Sequence, residues 1–179
     1  MKTKIFIDFD GVILDTWSVI SNEYIKKYRS NEFIDKKVRE IMLEIGWDKI
    51  IESSKIINDA IKKIQKLSSE FDVTIITKVN SNEEKYFKKI FLNKHGLKNI
   101  IFVPYSKNKS EYVSAYNNFL VDDDIMNLKD WTKNGGISIF FNQHLSHVDS
   151  YGIFNNNYYE IDDFDKIYDI IPLGGNYGN

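Results

Sequence analysis

The chain has 179 residues, enough for one well-buried core, and its 24 Lys and Arg residues against 26 Asp and Glu residues give a formal net charge of −2. This balance lacks the basic excess of nucleic-acid-binding proteins, so we expect no long nucleic acid as a partner. The absence of cysteine excludes disulfides, thiolate catalysis and cysteine-based zinc sites. The first apolar run is too short for a signal peptide or a membrane span, so we expect a cytoplasmic protein without membrane contact. Nothing in the sequence indicates an oligomeric state.

The first predicted element is a buried strand that ends in two acids. Residues 5–7 are continuously apolar, which is typical of a strand in a parallel sheet covered on both faces. Side chains alternate along a strand, so Asp8 and Asp10 leave the same face about 6–7 Å apart. Gly11 then permits a sharp turn. Ligands of open α/β sheets bind at this end of the strands, although the same acids also suit an ordinary turn.

Helical periodicity follows the first strand. Apolar residues at spacings of three and four predict two short helices over residues 15–46, with a break at 29–31 and an end at Gly46. A further helix is predicted over residues 53–69, where an apolar stripe opposes a row of lysines.

Strands and helices alternate over the rest of the chain. Two helices are expected, at 81–96 and 124–134, between strands at 72–77, 100–103, 119–121 and 137–141. Residues 107–116 fit a short helix or an irregular turn, and a last helix is predicted within 162–170. Tyr158 and Tyr159 are expected to pack near that helix.

This alternation predicts an α/β fold built as a three-layer, Rossmann-like parallel sheet. The helical stretch after the first strand is long enough to form a small cap over the strand ends. We therefore assign residues 1–14 and 52–179 to the α/β core and residues 15–51 to a helical cap.

Residues with suitable chemistry for phosphate and a cation follow the predicted strands. They are Asp8, Asp10, Thr77, Lys109, Asp122, Asp123 and Asp124. Carboxyl ends of parallel strands share one edge of a sheet, so these side chains are expected to converge. Gathered carboxylates need a counter-charge, and oxygen ligands without His or Cys favour Mg²⁺. A carboxylate can also act as a covalent nucleophile toward a phosphoryl group.

Four short motifs succeed one another at these strand ends. They are Asp8-Phe9-Asp10-Gly11-Val12, Ile75-Ile76-Thr77, Lys109 within residues 107–111, and Leu120-Val121-Asp122-Asp123. In this order they resemble the motifs of the haloacid dehalogenase (HAD) superfamily of phosphohydrolases, over residues 5–141. The resemblance implies a HAD-like fold, a small-molecule phosphate monoester as substrate and Mg²⁺ as cofactor.

The resemblance also implies roles for single residues. Asp8 is the implied nucleophile, and Asp10 protonates the leaving oxygen and later deprotonates water. Thr77 binds a phosphoryl oxygen, and Lys109 neutralises the nucleophile and the equatorial oxygens. The presence of Asp10 favours phosphate esters over halides. Lys107 is the alternative to Lys109.

The implied metal ligands are Asp8, the Asp10 carbonyl and acids of the fourth motif. Among those acids we choose Asp122 and Asp123, because Asp124 also suits a cap of the following helix. His144 and His147 lie three residues apart but lack an evident third ligand, so we expect no metal there.

The substrate prediction is a 5′-nucleotidase. The short helical cap, the 92–95 segment and Gly135-Gly136-Ile137 resemble the 5′(3′)-deoxyribonucleotidase branch, which acts on deoxyribonucleoside monophosphates. The expected substrate contacts are Gly11, Lys78 and Trp17. Four aromatic residues fit either a wall beside a nucleobase or the core of the cap: Trp17, Tyr24, Tyr28 and Trp47. Two alternatives remain open, a phosphatase of another small ester such as a sugar phosphate and a non-catalytic HAD-fold binding module.

Overall fold

A six-stranded sheet forms the centre of the protein in the computed structural model, which describes residues 2–143 and 158–171. Its strands are β1 (Lys4–Ile7), β2 (Asp72–Val79), β3 (Ile100–Pro104), β4 (Phe119–Asp122), β5 (Ile137–Phe141) and β6 (Tyr158–Ile161). They lie in the order β3-β2-β1-β4-β5-β6, and every neighbouring pair is parallel. The first strand is therefore central, and its carboxyl end lies at the middle of the sheet edge.

Helices cover both faces of this sheet. They are α1 (Thr16–Tyr28), α2 (Asp35–Ile45), α3 (Trp47–Ser53), α4 (Ala60–Glu70), α5 (Asn82–Lys94), α6 (Ile125–Lys133) and α7 (Ile167–Ile170), with 3₁₀ turns at Lys109–Glu111 and Phe164–Lys166. Ile5 and Ile7 pack into one core with α4, whereas Phe6 packs with Trp131 of α6 on the other face. The predicted three-layer α/β architecture is confirmed. No helix in the described ranges combines the length and the apolar character needed to cross a lipid bilayer.

The helices α1 to α3 are inserted after β1 and share a core of their own. That core contains Ile20, Tyr24, Ile41, Trp47 and Ile50. The breaks predicted at 29–31 and at Gly46 are found, because α1 ends at Tyr28 and α2 at Ile45.

The inserted helices are joined to the sheet by a two-stranded neck. The Asp15 N–H donates to the Lys55 carbonyl at 3.0 Å, and the Ile57 N–H donates to the Ile13 carbonyl at 3.0 Å. The chain thus enters and leaves the helical insertion at adjacent points. The division into a cap and a core stays a prediction.

The structure differs from the predicted elements at the start of one helix and in an additional strand. The helix expected over 53–69 begins only at Ala60, because Asn58 and Asp59 have left-handed φ angles of 43° and 56°, which a helix does not accommodate. The sequence analysis did not predict β6, the strand that contains Tyr158 and Tyr159 and pairs with β5. The last helix itself is a 3₁₀ turn followed by α7.

Candidate active site

Asp8 lies at the middle of the sheet edge, directly after β1. Its N–H donates to the Val121 carbonyl at 2.9 Å, which fixes the backbone against the neighbouring strand. Its carboxylate is largely buried and accepts a hydrogen bond from Lys109 Nζ, 2.5 Å from Oδ1. The same ammonium lies 2.6 Å from Asp122 Oδ2. Two strand-end acids and a lysine of the turn after β3 therefore form one buried ion cluster.

The turn that carries Lys109 is held by its own polar contacts. Asn108 and Glu111 form a reciprocal capping box around the 3₁₀ turn, and the Ser110 hydroxyl donates to Asp130 of α6. Lys109 itself is buried. Because the turn is tied at both ends, the ammonium is presented to the sheet edge in a fixed position.

The acids after β4 have different environments. Asp122 is fully buried, and it accepts hydrogen bonds from the Asp124 N–H at 2.9 Å and from Asn127 Nδ2 at 3.0 Å. Asp123 keeps exposed surface at the mouth of the site. The Asp124 carboxylate accepts from the Met126 N–H at 2.8 Å and caps α6.

A cluster of three carboxylates suited to a cation is present at this edge. One oxygen each of Asp8, Asp122 and Asp123 lies within 4.8 Å of the others. Carboxylate oxygens are the ligands preferred by hard divalent cations such as Mg²⁺, so the donor set fits the predicted ion. The predicted ligand from Asp10 is its backbone carbonyl, and that contribution stays a prediction.

The electrostatics of the cluster favour a bound cation. Burial raises the pKa of Asp8 to about 7, although Lys109 opposes the shift, and the charges of Asp122 and Asp10 add to it. The pKa of Asp123 is raised well above its usual range by the protein atoms around its carboxyl and then by Asp122, Asp8 and Asp10. For Lys109, burial acts to lower the pKa, but Asp122 and Asp8 raise it above its ordinary value. One ammonium thus does not compensate the acids of this edge.

Gly11 allows Asp123 to reach the cluster. Its φ of +70° lies in the left-handed region that favours glycine. A Cβ at this position would lie 1.9 Å from Asp123 Oδ2. A larger residue would therefore displace one of the candidate metal ligands.

Asp10 is held by a second buried lysine, Lys88 of α5, which the sequence analysis did not identify. Lys88 Nζ lies 2.5 Å from Asp10 Oδ2, 2.7 Å from Glu84 Oε1 and 3.1 Å from Thr77 Oγ1. Asp10 Oδ1 accepts from the Thr16 hydroxyl at 2.9 Å. Burial acts to lower the pKa of Lys88, but Asp10 and Glu84 raise it above its ordinary value.

A cleft of about 340 Å³ opens between this edge of the sheet and the inserted helices. Its walls include Asp8, Asp10, Gly11, Thr16, Trp17, Ile20, Asp35, Val38, Arg39, Met42, Trp47, Lys78, Asn80, Glu84, Tyr105, Asp123, Asp124 and Asn127. This volume lies at the lower end of the range of about 300–1,000 Å³ for small-molecule sites. The cleft can therefore admit a small molecule to the acids.

Comparisons with known proteins identify the fold. No family model matches the sequence, and no curated protein does. Among solved structures, the HAD-hydrolase YfnB from Bacillus subtilis, whose structure is bound to magnesium, matches with a TM-score of 0.63 and 16% identity, over 96% of this chain and 99% of that one. A haloacid dehalogenase-like hydrolase from Streptococcus pneumoniae matches with a TM-score of 0.69 and 12% identity, over 94% and 98%. This chain has the HAD fold. A Clostridium difficile protein described as a phosphatase matches at 18% identity and a TM-score of 0.61, over 94% of this chain and 98% of that one.

Most of the predicted motif residues come together at the sheet edge. Asp8, Lys109, Asp122 and Asp123 meet at one point, and Asp10 lies beside them in the cleft wall. Lys107 is exposed and pairs with Glu111 at 3.0 Å, so the structure brings Lys109 rather than Lys107 to the acids.

The predicted substrate contacts lie in the cleft, but the predicted catalytic residue Thr77 does not line it. Gly11, Lys78 and Trp17 line the cleft, and Trp17 is 47% exposed. Thr77 is fully buried, and its hydroxyl contacts Lys88; it is not among the described residues that form the cleft wall. Of the remaining aromatic residues, Trp47 reaches the cleft and Tyr24 is core. His144 and His147 lie outside the described residues.

Lys88 and Glu84 could have been found from one signal. The buried face of α5 is formed by Glu84, Lys88 and Leu92, spaced four residues apart. Apolar periodicity instead favoured Tyr86 and Ile90, which are 59% and 44% exposed. A Glu four residues before a Lys is a common surface pair, so this spacing predicts a pair but not its burial.

Proposed function

We propose that the protein is a magnesium-dependent phosphomonoester hydrolase that acts through an aspartyl-phosphate on Asp8. The observation that carries the proposal is the buried cluster in which Lys109 bridges Asp8 and Asp122, beside Asp10 and at the mouth of a cleft. Its position after the central strand of a HAD fold supports the same chemistry. Identities of 18% or less show the fold alone, so the activity is argued from the side chains of this chain.

The proposed cation site consists of Asp8, Asp122 and Asp123, together with the predicted Asp10 carbonyl. When bound, Mg²⁺ would neutralise negative charge on the phosphoryl oxygens and on the acids that surround them. Lys109 would supply the second positive charge, because its ammonium already contacts Asp8 and Asp122. Thr77 is the proposed hydrogen-bond donor to a phosphoryl oxygen.

The first half of the reaction is proposed to transfer the phosphoryl group to Asp8. A carboxylate oxygen of Asp8 forms a bond to phosphorus, and the bond from phosphorus to the ester oxygen breaks. The ester oxygen takes a proton from Asp10 and leaves as an alcohol. Lys109 stabilises the charge that spreads over the equatorial oxygens in the transition state.

The second half regenerates the enzyme. Asp10, now a carboxylate, takes a proton from water as the water oxygen bonds to phosphorus. The bond between phosphorus and Asp8 then breaks, which releases inorganic phosphate and restores the Asp8 carboxylate. The net reaction consumes one water and one phosphate monoester.

The finer proposal for the substrate is a (deoxy)nucleoside monophosphate. Trp17 presents an exposed ring to the cleft, and its edge contacts Phe33 with ring centroids 4.9 Å apart. Aromatic faces bind planar bases with little loss of conformational entropy. Lys78 and Gly11, also in the cleft wall, are proposed as further substrate contacts.

The direct test is phosphate release from a panel of nucleoside, sugar and aryl monophosphates, with Mg²⁺ or with a chelator. We expect metal-dependent hydrolysis by the wild type and a loss of at least about 10⁴-fold in kcat for Asp8→Asn, because the variant lacks the nucleophile. Asp72→Asn is the matched control, since the Asp72 carboxylate forms an exposed ion pair with Lys4 and lies outside the cleft wall.

Two results would reject parts of the proposal. No phosphate release from any member, or an active Asp8→Asn variant, would favour the non-catalytic module. Sugar phosphates preferred over nucleotides in kcat/KM would remove the nucleotidase assignment and leave the mechanism intact.

A further inference from the structure

The Lys88 side chain is one of the largest fully buried groups in the described part of the chain. Its ammonium has four oxygen neighbours: Asp10 Oδ2 at 2.5 Å, Glu84 Oε1 at 2.7 Å, and Thr77 Oγ1 and the Lys78 carbonyl at 3.1 Å. Taking an ammonium out of water costs several kcal/mol unless it is paired and hydrogen-bonded. The four oxygen neighbours supply this pairing and hydrogen bonding while the ammonium contacts Asp10.

Two aromatic rings fix the same ammonium from the sides. Lys88 Nζ lies 5.0 Å from the centroid of the Trp47 ring and 5.3 Å from that of Phe9. Trp47 belongs to α3 of the inserted helices, and Phe9 lies between the two acids of the first motif. The ammonium therefore has little freedom to move away from Asp10.

Glu84 holds Lys88 independently of Asp10. Glu84 is buried, its Oε1 contacts Lys88 Nζ, and its Oε2 accepts from the Asn80 N–H at 2.7 Å. Because Glu84 is anchored to the backbone at the start of α5, it keeps the ammonium in place whatever charge Asp10 carries. Lys88 thus remains paired when Asp10 is neutral.

The two oxygens of Asp10 have partners of different kinds. Oδ2 faces the Lys88 ammonium, which can only donate hydrogen bonds, and Oδ1 faces the Thr16 hydroxyl at 2.9 Å. A hydroxyl donates to a carboxylate but can rotate and accept from a carboxylic acid. A proton on Oδ2 would point at the Lys88 ammonium, which cannot accept a hydrogen bond, whereas a proton on Oδ1 meets an acceptor or the cleft.

We infer that Lys88 and Glu84 are positioning residues for Asp10: Lys88 fixes the orientation of the carboxyl group and reserves Oδ1 for the transferred proton. The inference rests on the proposed function, in which Asp10 carries that proton. In the first half-reaction the proton leaves Oδ1 for the ester oxygen as the ester bond to phosphorus breaks. In the second half a proton of the attacking water returns to Oδ1, while Oδ2 stays bound to Lys88.

The kinetic test compares two substrates of similar size in Lys88→Met, which keeps the length of the side chain and removes the donors. Benzyl phosphate has a poor leaving group that needs a proton, whereas p-nitrophenyl phosphate releases a stable phenolate. We expect kcat/KM to fall about 100-fold for benzyl phosphate and less than about 10-fold for p-nitrophenyl phosphate, because general acid catalysis contributes about 10²–10⁴-fold where it is needed. A loss of equal size for both substrates, or no loss, would overturn the inference.

Two further variants keep the test valid if Lys88→Met is unstable. Glu84→Gln combined with Lys88→Met leaves no unpaired buried carboxylate and should show the same leaving-group dependence. Lys63→Met removes an ion pair with Asp163 that lies outside the cleft wall, so it should leave the ratio of the two kcat/KM values unchanged.

A structural measurement separates this inference from the proposed function. In the crystal structure of the double variant we expect the Asp10 carboxyl to rotate and to lose its contact with the Thr16 hydroxyl. An unchanged Asp10 rotamer would reject the positioning role, even if the wild type hydrolyses every ester. A wild type without phosphatase activity would reject the proposed function instead, and a rotated Asp10 would then still show that Lys88 orients it.

Discussion

Two buried lysines flank the first motif, and each is held by two carboxylates. Lys109 bridges Asp8 and Asp122, and both of these acids belong to the cluster of three carboxylates that fits a cation. Lys88 bridges Asp10 and Glu84, and neither of its partners belongs to that group. In the proposed reaction, the two ion clusters would separate the charge of the phosphoryl group from the movement of the proton.

The two clusters also differ in the solvent exposure of their carboxylates. Both partners of Lys109 are nearly inaccessible to solvent, with side-chain exposures of 10% for Asp8 and 0% for Asp122. Of the partners of Lys88, Glu84 is buried but the Asp10 side chain is 35% exposed toward the cleft. A group that exchanges protons with substrate and water needs that access, whereas a nucleophile beside a cation benefits from exclusion of water.

The largest difference between the clusters is expected in Lys109→Met. Lys109 would contact both the nucleophile and the transferred group, so its removal should lower kcat/KM about 10³-fold for benzyl and p-nitrophenyl phosphate alike. Steady-state kinetics with both esters measure the effect, with Lys107→Met as the control at an exposed, paired lysine. A loss confined to the poor leaving group would mean that Lys109 and Lys88 share one role.

The second prediction concerns the stability of the Lys88 cluster. Lys88→Met leaves the Glu84 carboxylate buried with only the Asn80 N–H as partner, and should lower the free energy of unfolding by about 3 kcal/mol. Urea unfolding measures the change. Adding Glu84→Gln should recover part of the loss, because the isolated charge disappears. An unchanged or lower stability in the double variant would show that the carboxylate is not the source of the cost.

Magnesium and pH are expected to act together on the Lys109 cluster. The pKa of Asp8 is raised from 3.8 to about 7 in the folded protein, mainly by burial. In the metal-free protein, the stability from this protonated carboxyl is complete below about pH 4 and is lost as pH rises through about 7. Magnesium requires the ionised carboxylate, so its stabilising effect should appear over the same rise in pH.

The measurement is urea unfolding with a chelator or with Mg²⁺. At about pH 8, an ion concentration of 100 times Kd should add about 2.7 kcal/mol to the free energy of unfolding, and at about pH 5 the gain should be much smaller. Asp8→Asn should reduce the pH dependence of the gain, and the raised pKa of Asp123 accounts for what remains. Equal stabilisation at both pH values would contradict the titration of Asp8 as its cause.

The smallest effect is expected at Trp17, which belongs to neither lysine cluster and is proposed to contact only the base of the substrate. Trp17→Ala should raise KM about three- to tenfold for a nucleoside monophosphate, because ring contacts contribute about 1 kcal/mol, and leave KM for glycerol phosphate unchanged. Tyr86→Ala is the control, since Tyr86 is an exposed aromatic residue outside the cleft wall. Equal KM changes for both substrates would argue against stacking on a base.

Most of the fold could be predicted because its strands are short apolar runs between polar turns. Four of the predicted strands, β1, β2, β4 and β5, lie inside the sheet, where burial on both faces makes residues such as Ile5 and Val121 apolar without interruption. The predicted strand β3 lies at one edge, but residues 100–103 are also an unbroken apolar run. The sixth strand is an edge strand, and Tyr159 and Glu160 in it are exposed. It has no continuous apolar run, so its sequence resembles a loop.

The site residues that could be predicted from the sequence are those placed by the predicted strands, even though they lie far apart along the chain. Asp8 directly follows β1, Asp122 ends β4, and Lys109 lies in the turn that follows β3, so their meeting point follows from the parallel sheet. Lys88 lies in the middle of a lysine-rich helix, where the Glu84 spacing predicts an ion pair but not a buried one. Its contact with Asp10, which lies 78 residues earlier in the chain, cannot be predicted from this helix.

The neck at residues 13–15 and 55–57 has a consequence for how this architecture can change. The chain leaves the sheet at Asp15 and returns beside it at Lys55, so a tight turn would span the same gap as the helices do. The path from β1 to β2 therefore does not depend on the length or composition of the insertion. Exchange of the inserted helices, in evolution or by design, would keep the backbone of the sheet edge but would remove the contacts that Thr16 makes with Asp10 and Trp47 makes with Lys88.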